Sequence, residues 1–172
     1  MKKSLIVVDM QNDYYPNGAM ELVGILEAHR VINETINKFR YSGDEVIFIQ
    51  HIASKDAPFF KQDSSGAEIY EGLDRKVSDK VFVKHYPNSF RDTGLHEYLQ
   101  EKEIASLVIC GAMTHMCIDT TVRAGYDLGY DIKLIANGCA TKDLVFKDKV
   151  ISTDIVHKTF LSAMDRTFCS VI

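Results

Sequence analysis

A chain of 172 residues, 46% of them hydrophobic, is long enough to bury a core of its own, and its size predicts one domain. With 20 basic and 24 acidic residues the formal charge is −4, and no basic run suits a phosphate backbone, so nucleic acid is not expected as a partner. The first apolar run stops at Asp9, too short for a signal-peptide core or a membrane span, so no membrane partner is expected either.

In chain order, Ser4–Val8 reads as a buried strand ending in Asp9, with Gln11, Asn12 and Asp13 in the polar loop after it. Gly24–Arg40 carries Ile25, Ala28, Val31, Ile32, Ile36 and Phe39 at helical spacing, and Gly43 suits the helix end. Val46–Ile49 is a second strand with His51 just past it. Ala53–Leu73, interrupted by Pro58, Gly66 and Gly72, is expected to be a loop lying over the site. Lys80–Lys84 is a third strand ending in a charge, Tyr86-Pro87-Asn88-Ser89 is turn chemistry, and Thr93–Lys102 is helical.

Leu107–Cys110 is a β-branched, wholly apolar run, as in a strand covered on both faces. Gly111 breaks it, and Thr114 reads as the N-cap of a helix to about Gly129, with Cys117 in the first turn. A thiol there meets unpaired N–H groups and the positive end of the helix dipole, which predicts a lowered pKa. Asp131–Ala136 is a further strand closed by Asn137-Gly138, and Cys139–Asp148 is a polar loop or short helix. Asp154–Thr167 is helical, and Phe168–Ile172 is a final edge strand.

Strands alternating with helices indicate an α/β fold with a parallel doubly wound sheet, in which ligands bind at the carboxyl ends of the strands. Asp9, Lys84 and Cys117 all fall at such ends. Singly, each has an ordinary structural reading: a turn carboxylate, a snorkelling lysine, a small core hydrophobe. Jointly they make a site. Asp9 can take and return a proton, Lys84 can hold both anions by its charge, and Cys117 can act as nucleophile. The four cysteines (Cys110, Cys117, Cys139, Cys169) include no CxxC pair, which predicts reduced thiols and a cytoplasmic location.

The segments LIVVDMQNDY (Leu5–Tyr14), VFVKHYPNSF (Val81–Phe90) and VICGAMTHMCIDTTVRAGYDLGYDI (Val108–Ile132) resemble the isochorismatase-like cysteine hydrolases, a family that includes nicotinamidases. GCATKD (Gly138–Asp143) and the helix near His157 add to the likeness, which spans nearly the whole chain. The resemblance implies a three-layer, mostly parallel six-stranded sheet with helices on both faces. It also implies a triad of Asp9, Lys84 and Cys117, and a cis peptide at Ala112–Met113 that aims the Met113 and Cys117 amides at the substrate oxygen. The reaction implied is hydrolysis of a small amide through a thioacyl-enzyme, with no cofactor, in a homodimer or homotetramer.

Nicotinamidases of this family carry an Asp-x-His motif and another His after the second strand, which bind a metal. Here the stretch reads FIQHIASKDAPFF and His51 stands alone, so no metal is expected and nicotinamide is disfavoured. Gln11, Tyr15, His51, Phe59, Phe60 and Phe90 are candidate substrate-binding residues, and His85 and His115 read as wall or structural residues. Isochorismatases proper cleave a vinyl ether and lack the cysteine. An ether hydrolase using Asp9 and Lys84, or a catalytically idle binding protein, are therefore the alternatives.

Overall fold

The computed structural model describes residues 2–172. Its strands and helices run β1 (Lys2–Val8), α1 (Ile25–Tyr41), β2 (Glu45–His51), β3 (Lys80–Lys84), α2 (Leu95–Glu101), β4 (Ile104–Ala112), α3 (Asp119–Asp127), β5 (Asp131–Ala140), β6 (Leu144–Phe146), β7 (Lys149–Ile151), α4 (Thr153–Met164) and β8 (Ser170–Val171). Six strands form one sheet in the order β3-β2-β1-β4-β5-β8, and every neighbouring pair is parallel. This is the expected doubly wound α/β sheet.

Alternation along β1 explains why both faces are covered. Leu5 and Val7 point to one side, where they pack with Val46, Phe48, Val108 and Cys110 against Ile25, Ala28, Ile32 and Ile36 of α1. Ile6 and Val8 point to the other, where Ile47, Ile49, Leu107, Ile109 and Leu134 meet Leu95 and Leu99 of α2, Val122 of α3 and Met164 of α4. The order reverses between β1 and β4, so their carboxyl ends form the topological switch point.

Several boundaries differ from expectation. β5 does not stop at Ala136 but continues to Ala140, because Cys139 and Ala140 pair with Gly111 and Ala112. The stretch expected as loop or short helix contains strand β6, which pairs antiparallel with β7 in a hairpin off the main sheet. The helix expected from Thr114 to Gly129 is split, with a single π turn at Thr114–Ile118 preceding α3. Among the described residues no helix is long and apolar enough to cross a membrane.

Candidate active site

Three strand ends converge at the switch point. Just past β1, Asp9 adopts a left-handed backbone (φ 52°) while its N–H donates to the Ile49 carbonyl at 3.0 Å. That departure from strand geometry, which Asp tolerates better than most residues, turns the carboxylate toward the switch point. Lys84 ends β3, and its long side chain crosses beneath the end of β2 to reach Asp9.

Cys117 is placed by β4. Gly111 has φ 127°, and a Cβ there would lie 2.0 Å from the Val8 carbonyl oxygen, so only glycine lets β4 pass β1 this closely. The Ala112–Met113 peptide is cis. The Met113 carbonyl then accepts N–H bonds from both Met116 and Ile118, closing the π turn that carries the thiol. Thr114 is not the N-cap: Met113 occupies that position, and the Thr114 hydroxyl is engaged with the Ala140 carbonyl and His157.

The Lys84 ammonium is the hub. It lies 2.8 Å from Asp9 Oδ2, 3.2 Å from Cys117 Sγ and 3.1 Å from His51 Nδ1, and it also donates to the Tyr86 and Pro87 carbonyls. Asp9 and Lys84 are both 0% exposed, and Cys117 is buried. Oδ2 of Asp9 is held by the Lys84 ammonium, and among the described residues Oδ1 has no hydrogen-bond partner, so the carboxylate keeps acceptor capacity.

The charges sort as follows. Burial works against the Lys84 ammonium, but Asp9 and then Cys117 outweigh it and raise its pKa. Burial, with the Lys84 charge added, pushes His51 down to about 4, so the imidazole is neutral and Nδ1 faces Lys84 as an acceptor. For Cys117 the expected lowering is overturned. Burial and then the Asp9 carboxylate raise the thiol pKa, against the smaller opposing pull of Lys84. The resting centre is an ion pair beside a protonated thiol.

Donor atoms of Asp9, His51 and Cys117 lie within 4.8 Å of one another, a spacing a metal ion could use. Lys84 already stands among them as the cation, so this donor set does not suit a second positive charge.

The candidate substrate-binding residues divide. His51 belongs to the centre, and the Phe60 ring lies 6.0 Å from it, with Phe59 5.0 Å beyond. Phe60 is held by its N–H bond to Asp13 Oδ2 at 2.6 Å. Gln11 is a structural clip: its side chain is spent on the His51 N–H, the His51 carbonyl and the Ala67 carbonyl. Tyr15 stacks on Tyr70, bonds to His29 and lines a separate cleft with Asn12, Pro16 and Ser65. Phe90 is stacked against Tyr130 and packs with the cluster that includes Cys117.

The residue missed is Tyr14. It is buried with its ring 4.5 Å from Phe60, and burial, then the Asp9 charge, raise its phenol pKa. Its neighbour Tyr15 is buried as well, against Tyr70 and His29, and no period across the three-residue 3-10 turn (Asn12–Tyr14) shows which of the two rings meets Phe60. His85 bonds to the Ile52 carbonyl, and His115 to Thr141, both as structural residues.

A parallel doubly wound sheet with an acid, a lysine and a thiol at its switch point defines the class of isochorismatase-like hydrolases. The family model for the Isochorismatase domain matches residues 3–167, and the chain belongs to that family. It is 39% identical to the isochorismatase family protein YddQ of Bacillus subtilis over 99% of this chain and 96% of that one. The crystal structure of a putative isochorismatase hydrolase from Oleispira antarctica superposes with a TM-score of 0.95 at 38% identity, covering 99% of this chain and 92% of the other. The nicotinamidase of Escherichia coli is 26% identical over 80% of this chain and 82% of its own length.

Proposed function

We propose that this protein is a cysteine-dependent amidohydrolase that cleaves a C–N bond of a small molecule through a thioacyl-enzyme. One observation carries the reading: a buried Lys84 ammonium within 3.2 Å of both the Asp9 carboxylate and the Cys117 thiol. An ether hydrolase would need the acid but has no use for a thiol on the same lysine.

Because the resting thiol is protonated, deprotonation belongs to the attack itself. Asp9 takes the Sγ proton as sulfur bonds to the substrate carbonyl carbon, and Lys84 stabilises the sulfur as its charge grows. The amides of Met113 and Cys117 receive the carbonyl oxygen as it becomes an oxyanion. Asp9 then returns the proton to the leaving nitrogen, the C–N bond breaks, and ammonia or an amine departs, leaving a thioester. Water loses a proton to Asp9, attacks the thioester and frees the acid, and the proton restores the thiol. Tyr14, Phe59 and Phe60 form the wall against which a small substrate packs.

The experiment is a screen for ammonia or amine release over small amides, ureides and lactams, with acid quenching and intact mass. The expected result is turnover with a transient acyl adduct on Cys117, both absent in Cys117→Ala. Turnover of a vinyl ether that survives Cys117→Ala, with no adduct, would overturn the reading.

A further inference from the structure

The turn that carries Cys117 is tied to helix α4 by one side-chain hydrogen bond. His157 Nδ1 lies 2.9 Å from Thr114 Oγ1, and the same hydroxyl is 3.3 Å from the Ala140 carbonyl. Thr114 is fully buried and follows the Met113 amide directly. Burial lowers the His157 pKa, while the Ala136 backbone carbonyl favours a ring N–H. The Ala140 carbonyl can only accept, so the hydroxyl donates there while His157 Nδ1 meets the same oxygen, and the two partners together fix its position.

We infer that His157 is a positioning residue for the hydrolytic reaction: by its hydrogen bond to the Thr114 hydroxyl it fixes the turn whose Met113 and Cys117 amides receive the substrate oxygen. The inference rests on the proposed nucleophilic role of Cys117. His157 touches neither Asp9, Lys84 nor Cys117 through the hydrogen bonds of the site, so its loss alters where the oxyanion is held without altering how the thiol is deprotonated. Of the other polar residues near the start of α4, Thr153 bonds to Asp143, and Asp154 and Lys158 pair with each other at the surface.

The test separates oxyanion binding from thiol reactivity. A small aldehyde bonds its carbonyl carbon to Sγ, and the thiol proton passes to the carbonyl oxygen, giving a tetrahedral thiohemiacetal that uses the same amides. Its formation is read by NMR with [1-13C]acetaldehyde, while alkylation by iodoacetamide at pH 9 reads the thiol alone. His157→Leu is expected to weaken the aldehyde adduct about tenfold, the scale of a buried hydrogen bond left unmade. His157→Asn keeps a hydrogen-bonding amide near the Nδ1 position and is expected to restore most of it. Thr114→Val, made from the other side of the bond, is expected to match His157→Leu, with alkylation unchanged in all three.

Equal adduct formation by wild type, His157→Leu and Thr114→Val overturns this inference alone. An alkylation rate that falls in step with the adduct overturns it too, because His157 would then act on the thiol or on the fold at large. A wild type that forms no adduct on Cys117 overturns the nucleophile reading, and this inference with it.

Discussion

Cys110 and Cys117 lie seven positions apart on the same strand-and-turn unit, and both are buried with raised thiol pKa values. Their surroundings differ in kind. The nearest polar partner of Cys110 is the Ile6 carbonyl at 3.8 Å, so its sulfur is a core atom. Cys117 sits 3.2 Å from an ammonium that is itself paired with a carboxylate. Burial makes a thiol inert on its own; reactivity comes from a base to take the proton and a cation to meet the charge. A helix end is not sufficient, and here it does not set the pKa.

The largest expected effect breaks the comparison outright. Cys117→Ala is expected to abolish turnover, a loss on the order of 10⁴-fold or more, whereas Cys110→Ala should leave kcat unchanged and cost about 1 kcal/mol of stability. Progress curves and urea unfolding check the two halves.

Asp9→Asn should split reactivity from catalysis. Removing the carboxylate lowers the Cys117 pKa and leaves Lys84 to pair with a thiolate, so labelling by iodoacetamide near pH 7 is expected to become faster. Turnover should fall by roughly 10²–10⁴-fold because no group accepts and returns the proton. Labelling that slows instead would show that the thiol owes its reactivity to Asp9 rather than to Lys84.

Lys84→Met leaves the Asp9 carboxylate buried without its cation, which is expected to cost about 3–5 kcal/mol. The double variant with Asp9→Asn should recover much of that stability and none of the activity. Chemical denaturation of the single and double variants gives the coupling directly.

The smallest effect is a pH dependence that Cys110 has no means of showing. His51 is held neutral, its pKa near 4 rather than the usual 6.5, so the unfolded chain binds a proton that the folded one refuses. The associated stability is present in full above about pH 6.5 and is lost as the pH falls toward 4. Allowing for solvent contact at the ring, it amounts to about 1–2 kcal/mol. His51→Gln should flatten the unfolding free energy over that window, relative to wild type.

The sheet was legible because its strands are short apolar runs separated by helical periodicity, and Lys80–Lys84 coincides in residues with β3. The residues of the centre were legible because they stand at strand ends, where position implies location. What escaped had no period to follow. The short Asn12–Tyr14 turn gave no sign that it is Tyr14 whose ring meets Phe60. Gln11 looked like a ligand-facing amide, but the end of β2 and the Ala67 loop consume its hydrogen bonds. The thiol pKa was misjudged for a related reason: a sequence displays the helix end but not the desolvation around it or the carboxylate brought from Asp9.

The strand order also sets a timetable for synthesis. β1 leaves the ribosome first yet finishes in the middle of the sheet, with β2 on one edge and β4 on the other. The first edge is covered once His51 has emerged, but the second stays open until Ile104–Ala112 follows, the interval in which a parallel sheet is most exposed to mispairing. Asp9 and Lys84 are both made before Cys117. A chain interrupted short of the π turn therefore carries Asp9 and Lys84 without the thiol, while α3, β5 and α4, which pack in the same cluster as Cys117, are made after it.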